Sequence, residues 1–326
     1  MTDTLSQFSV LSLYSAMAIY AIAFILFTFD LARGGGREAS AAGASDSIVQ
    51  ATGEGRTATL TRVRVDAPSS KPGRRPLARI AMALAWLGFV FQLTATILRG
   101  IAASRVPWAN MYEFAMTGTL IIMLVFLLVN LKWDLKFVGA FSTGLVLLLL
   151  GLSATRYYVE VVPLPPALQS YWLVIHVFVA TLGTGFFALG FALSLAQLLQ
   201  TRREYRAVEA KPTRLAWMSR LPDSAQLENY AYRLIIIGFI FWTFTLIAGA
   251  VWAEKAWGRY WGWDTKEVWT FIIWTIYAGY IHARSTRGWR GTRSAVLAMV
   301  GFGSVMFNFT VVNIYFKGLH AYSGLS

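Results

Sequence analysis

Cysteine is absent from all 326 residues. The chain therefore forms no disulfide and no thiolate metal site, and any thiol chemistry it serves belongs to a partner. Charge is also scarce. Asp, Glu, Lys and Arg make up 14% of the residues, where a soluble domain carries about 25%. Much of the surface therefore faces something other than water, and no stretch between the apolar runs is able to build a soluble core. Histidine is rarer still, with three in the chain, so each one bears weight in any argument about metal or proton chemistry.

What is plentiful is hydrocarbon. Hydrophobic residues reach 56% and the mean hydropathy is +0.53. Apolar runs long enough to cross about 30 Å of bilayer recur along the chain. Eight helical spans are expected, over 8–31, 79–101, 111–131, 136–152, 171–199, 229–251, 268–284 and 294–316. The fourth is short and the break before it (Lys132, Trp133, Asp134) is tight, so a re-entrant hairpin is the alternative for the third and fourth. The fold class is all-α, a polytopic transmembrane helical bundle. Roughly the first 30 residues lack a basic n-region and a small-residue cleavage site, which reads as a retained first span, 1–32, rather than a signal peptide. Segment 33–78 is rich in Gly, Ala, Ser and Arg without hydrophobic periodicity, the pattern of a disordered cytoplasmic linker. Residues 79–326 form the main membrane domain.

The net charge of +13 invites a nucleic-acid reading, but the basic residues form no binding face. Segments 33–79, 132–136, 201–228 and 284–293 hold 21 Lys and Arg, and the alternate segments hold 7. That asymmetry is the positive-inside rule. It assigns the first group to the cytoplasm, places both termini outside, and leaves membrane lipid, not nucleic acid, as the polyanion in contact.

The outer side carries the unusual residues. Six of the 13 tryptophans fall at Trp252, Trp257, Trp261, Trp263, Trp269 and Trp274. Interfacial anchoring explains a lone tryptophan. A concentration of them with Gly258 and Gly262 between also suits stacking on a flat ligand that approaches the backbone. His176, early in the fifth span, and His320, beyond the last, flank this run on the same side. Two neutral imidazoles can ligate a haem iron axially; hydrogen-bonded interfacial histidine is the alternative. His282 sits some 14 residues into the seventh span, about 21 Å below its outer end. It is either a functional intramembrane group or a side chain reaching the inner headgroups beside Arg284.

The run Trp257-Gly258-Arg259-Tyr260-Trp261-Gly262-Trp263-Asp264-Thr265-Lys266-Glu267-Val268-Trp269 resembles the tryptophan-rich WWD signature of haem-handling proteins. Tyr280-Ile281-His282-Ala283-Arg284, Gly288-Trp289-Arg290-Gly291, Gly318-Leu319-His320-Ala321-Tyr322, and upstream Asn110-Met111-Tyr112-Glu113 and Ser170-Tyr171-Trp172-Leu173 continue the likeness in order. Together they are similar to the CcsA/ResC branch of cytochrome c biogenesis, system II, with the WWD region over 252–269. Two positions depart from that pattern: Thr265 stands where Pro is usual and Ala321 where Ser is common.

The resemblance implies a protein of the bacterial cytoplasmic membrane that binds haem b transiently and non-covalently. His176, His320 and His282 would be iron ligands, and Trp257, Trp261, Trp263, Asp264 and Trp269 would belong to the binding region. Haem would pass from an inner site at His282 to the outer pair, where an apocytochrome c bearing Cys-x-x-Cys-His takes it up through thioethers. A ResB-type membrane partner is implied as the other subunit of such a haem lyase complex.

Asp264, Lys266 and Glu267 read most simply as solvated rim charges; orienting the apocytochrome, or a haem propionate with Lys266 or Arg259 as its cation, is the functional alternative. Glu113 reads as a cap of the third span, with a place in the haem pocket as its alternative. Gly183, Gly185, Gly301 and Gly303 read as close helix packing rather than nucleotide loops. Competing functions are a membrane haem or quinone electron carrier, which would need paired histidines at fixed depth, and a secondary transporter, for which His282 and Arg233 are the available midplane groups. A structural assembly subunit leaves the tryptophan run unexplained.

Overall fold

The computed structural model describes residues 2–33, 75–161, 164, 168–209, 216–286, 288–316 and 318–320. Most of the expected linker and Ala321 lie outside the described residues. Among the described residues eight long α-helices follow one another: α1 Thr2–Ala32, α2 Pro76–Ala103, α3 Met111–Lys132, α4 Gly139–Arg156, α5 Tyr171–Val208, α6 Ser224–Trp257, α7 Thr265–Thr286 and α8 Thr292–Phe307. Among the described residues there is no strand. Seven of these segments are long and apolar enough to cross a membrane, α4 counting together with the short turn before it as Lys136–Arg156. The third and fourth expected spans thus both have crossing length. The helix outside that set is α7, which forms over 22 residues but opens on Lys266 and Glu267 and closes on His282 and Arg284.

Successive helices run in opposite directions. At one end of the bundle Ser9 Oγ, near the start of α1, donates to Ala95 O near the end of α2. There too Arg99 at the end of α2 meets Glu113 at the start of α3. At the other end Arg284 of α7 meets Glu228 of α6, and Gln197 of α5 reaches Gly291 before α8. Lipid tails are as apolar as leucine, so helices associate in a bilayer by close packing and buried hydrogen bonds rather than by hydrophobic collapse. The α1–α2 seam follows that rule. Ala16, Ala23, Ala81 and Ala85 are fully buried along it, and a Cβ on Gly88 would lie 2.6 Å from the Tyr20 ring. Tyr20 Oη donates to Gln92 Oε1 at 2.9 Å, and Gln92 Nε2 donates to Thr119 Oγ1 and to Met116 O, tying α1, α2 and α3 together. The other faces of α1 and α2 expose Phe8, Leu11, Ile22, Phe29, Ile80 and Ile97, the surface a helix presents to lipid.

The expected glycine contacts are found at three of four places. A Cβ on Gly183 would meet Gly238 O and Trp242, one on Gly185 would meet Val125, and one on Gly301 would meet the Tyr277 ring, whereas nothing lies near Gly303.

Candidate functional site

Where α3, α5 and α7 begin and α6 and α8 end, the helices splay apart around an open cleft. Its walls are mainly apolar, with Phe114, Leu173, Val177, Leu246, Trp252 and Phe309 among them, and both His176 and His320 line it.

His176 stands six residues into α5, whose start is capped by Ser170 Oγ accepting from Trp172 N. Its ring lies flat against Trp252, at 5.8 Å and 15°. Gly249 faces it, and a Cβ there would sit 2.8 Å from the ring, so only glycine leaves the imidazole its place. The ring Nδ1 lies 3.0 Å from Thr245 O. A carbonyl only accepts, so Nδ1 carries the proton and Nε2 keeps its lone pair.

His320 is set the same way by different means. α8 loosens into a π-helical turn at Asn308–Val312, followed by a last turn Asn313–Tyr315, and the chain then folds back over the loop between α6 and α7. There Asp264 Oδ2 lies 2.8 Å from His320 Nδ1, and Asp264 Oδ1 accepts from Leu319 N at 3.1 Å. The hydrogen bond from His320 holds the Asp264 carboxyl down to about 2, overcoming the burial that would raise it. Trp252 meets His320 edge-on at 5.4 Å, so one indole touches both imidazoles. Each histidine is therefore anchored through Nδ1 in one cleft, leaving Nε2 as the ring nitrogen open to a ligand. That is the arrangement second-shell groups impose on metal-binding histidines.

The tryptophans divide. α6 runs on through Trp257 and stops where Gly258 takes a left-handed φ of 69°, so Trp252 and Trp257 are helical rather than on a loop. Trp257 packs edge-on to His320 at 4.9 Å and to Trp252 at 4.7 Å. Trp261 lines the cleft. Trp263 points outward, 75% exposed, with a positive φ of 61°. Trp269 packs on Phe307 of α8 at 4.4 Å and Trp274 Nε1 donates to Thr243 Oγ1 of α6, so both join helices rather than line the cleft. His282 is exposed on α7, 17 residues beyond Thr265 and hence about 26 Å along the helix, and it is not among the cleft residues.

Three expectations change. The charges after Trp263 are not a solvated rim. Glu267 is buried and gathers the loop, accepting from Gly262 N at 2.8 Å and Asp264 N at 3.0 Å while pairing with Arg259 at 3.2 Å. Gly262 does not open the backbone to a ligand either; the Arg259 guanidinium occupies the space its side chain would take. Nor does Glu113 alone cap α3. Asn110 Oδ1 accepts from Glu113 N at 2.9 Å, and the fully buried Glu113 side chain binds Ala109 N and two arginines, Arg99 at 3.0 Å and Arg105 at 2.6 Å. Thr245 and Gly249 were not visible as site residues. The single hint was a glycine inside an apolar span, which reads equally well as helix packing.

A bundle of antiparallel helices, seven of its segments long and apolar enough to cross a membrane, with two oriented imidazoles beside indoles in one cleft, defines a polytopic membrane protein with a histidine-lined site. The family is given by comparison. The model for "Cytochrome C assembly protein" matches residues 108–320, and the chain belongs to that family. It is 34% identical over 275 residues to a cytochrome c biogenesis protein CcsA of Trieres chinensis, covering 74% of this chain and 88% of that one. It is likewise 34% identical over 272 residues to a CcsA of Synechococcus sp. (strain CC9605), covering 78% and 88%. The solved structure of a cytochrome c haem lyase, CcmF, shares the fold with a TM-score of 0.64 at 18% identity, over 98% of this chain and 49% of that one. The chain spans about half the length of that lyase.

Proposed function

We propose that this protein binds haem b non-covalently in the cleft, with His176 and His320 as axial ligands of the iron, and presents it to apocytochrome c for thioether formation. The observation that carries the reading is the pair of imidazoles in one apolar cleft, each anchored through Nδ1 and each offering Nε2. Haem supplies the reacting vinyl groups. The chain's own residues orient: Thr245 and Asp264 fix the two imidazoles, Trp252 and Trp257 wall them, and Trp261, which lines the same cleft, would help to hold the haem. Ligation without a covalent bond permits exchange, so the histidine of a Cys-x-x-Cys-His segment can replace one protein ligand. Each cysteine S–H then adds across one vinyl group, sulfur to one carbon and hydrogen to the other, with no oxidant consumed.

The cleft faces outward across a bacterial cytoplasmic membrane, a facing that the distribution of Lys and Arg supports. His282, exposed on the outside of the bundle, serves a second, inner site completed by a ResB-type partner. Its position on α7, away from the other two histidines, disfavours an electron carrier built on paired ligands at matched depth.

The test is a visible spectrum of the chain purified with its ResB-type partner. Low-spin bis-imidazole bands are expected, lost in His176→Gly and in His320→Gly and regained on adding imidazole. A colourless complex from haem-replete cells would overturn the proposal.

A further inference from the structure

Two buried side-chain atoms in the cleft lack a partner among the described residues, Asn110 Nδ2 and Asn308 Oδ1. Their residues are 4% and 6% exposed and both line the cleft. Asn110 uses its Oδ1 as the cap of α3, so its amide nitrogen is left as a donor. Asn308 opens the π-helical turn of α8, a local widening that recurs at functional sites. A half-turn of its amide exchanges oxygen and nitrogen and would offer a second donor. Buried polar groups without partners are unfavourable, so the two amides together point to a ligand.

The cleft lining also includes a cation, Lys266. Lys266 Nζ reaches Asn313 Oδ1 and makes no ion pair among the described residues. Arg259 is committed instead to Glu267 and to the space over Gly262. An ammonium and two amide donors lining one cleft are the chemistry of carboxylate recognition.

We infer that Lys266, Asn110 and Asn308 form a carboxylate subsite that takes one propionate of the haem and so fixes how the ring is turned about the axis between His176 and His320. The inference rests on the haem reading above and adds its orientation. Turning the ring decides which edge, and therefore which vinyl groups, faces the mouth of the cleft.

The experiment compares iron protoporphyrin IX with its dimethyl ester, the same ring without free carboxylates, as ligands of the full chain with its partner. A charge-assisted hydrogen bond corresponds to roughly 10-fold or more in affinity, so the wild type is expected to prefer the free acid by at least that factor. Lys266→Met should erase the preference, and Lys266→Arg should restore part of it. Asn110→Asp keeps an acceptor for the helix cap and replaces the donor, and should also lower the preference. Equal wild-type affinity for the two porphyrins, or a preference that survives Lys266→Met, overturns the subsite and leaves the axial histidines untouched. A wild-type complex that binds neither porphyrin overturns both readings.

Discussion

Asp264 and His320 are joined by a 2.8 Å hydrogen bond across 56 residues of chain. The carboxylate also takes the backbone N–H of Leu319, so it fixes both the imidazole and the turn that carries it. Removing a group that orients a metal-binding histidine typically costs 10- to 100-fold in affinity or activity. Asp264→Asn, which keeps the shape but can present a donor toward Nδ1, is expected to lower haem retention by about that factor. Haem per polypeptide in the purified complex checks it.

The same bond has a defined pH window. The hydrogen bond from His320 depresses the Asp264 carboxyl from its ordinary 3.8 to about 2. A depressed carboxylate contributes stability that is present in full above its unfolded value and is lost as pH falls through the folded one. The Asp264 contribution should therefore be constant from pH 7 to pH 5 and fade between about 4 and 2. Thermal melts of wild type and Asp264→Asn across that range should stay a fixed distance apart until pH 4.

Glu113 makes a contrasting case, since its partners serve the fold. It is fully buried between Arg99 and Arg105, which are themselves nearly shielded from solvent. Breaking a buried pair by removing one partner costs about 3–5 kcal/mol because the other charge is left behind. Glu113→Gln is expected to fall at the low end of that cost and Glu113→Ala at the high end. Loss of detergent-solubilised monomer on size exclusion, and a lower melting temperature, are the readouts.

How much of this was legible beforehand follows from what a row of letters encodes. Hydrocarbon runs and loop charge act locally, so the eight helices could be drawn. Their ends were set by less visible causes: α5 continues to Val208 and α6 to Trp257, past the apolar stretch, because charged helix formers sustain a helix outside the hydrocarbon as well as within it. His176 and His320 could be paired because histidine is so rare here. Asp264 and Glu267 could not be placed, because charge in a loop looks the same whether water or a backbone N–H lies opposite. Trp269 and Trp274 were drawn into the outer cluster by proximity in sequence, whereas α7 turns them toward α8 and α6.

Gly249 offers a test of the His176 geometry that touches no ligand directly. A methyl group there would sit 2.8 Å from the imidazole, closer than the ring can accept without moving. Gly249→Ala should weaken haem retention while the helix itself gains by about 0.5–1 kcal/mol of intrinsic propensity. Gly279, with nothing within 4 Å of its position, is the control: Gly279→Ala should leave haem content unchanged. Equal haem loss in both variants would show that general helix effects, not the His176 contact, are responsible.

Trp263 is the residue whose cost the fold does not explain. A bulky side chain at a positive φ is an outlier worth about 1–3 kcal/mol, and three-quarters of this one is exposed. It sits in the loop that Glu267 and Arg259 tie together, 5.8 Å from Trp261, which lines the cleft that a substrate peptide would enter. Trp263→Gly relieves the backbone and removes the indole together. If the side chain is there for docking, the variant should keep its haem and its melting temperature, or melt slightly higher, while attaching haem to apocytochrome c several-fold more slowly in cells. Unchanged cytochrome c yield would assign Trp263 to the lipid interface instead, and parallel loss of bound haem would return it to the ring-binding wall.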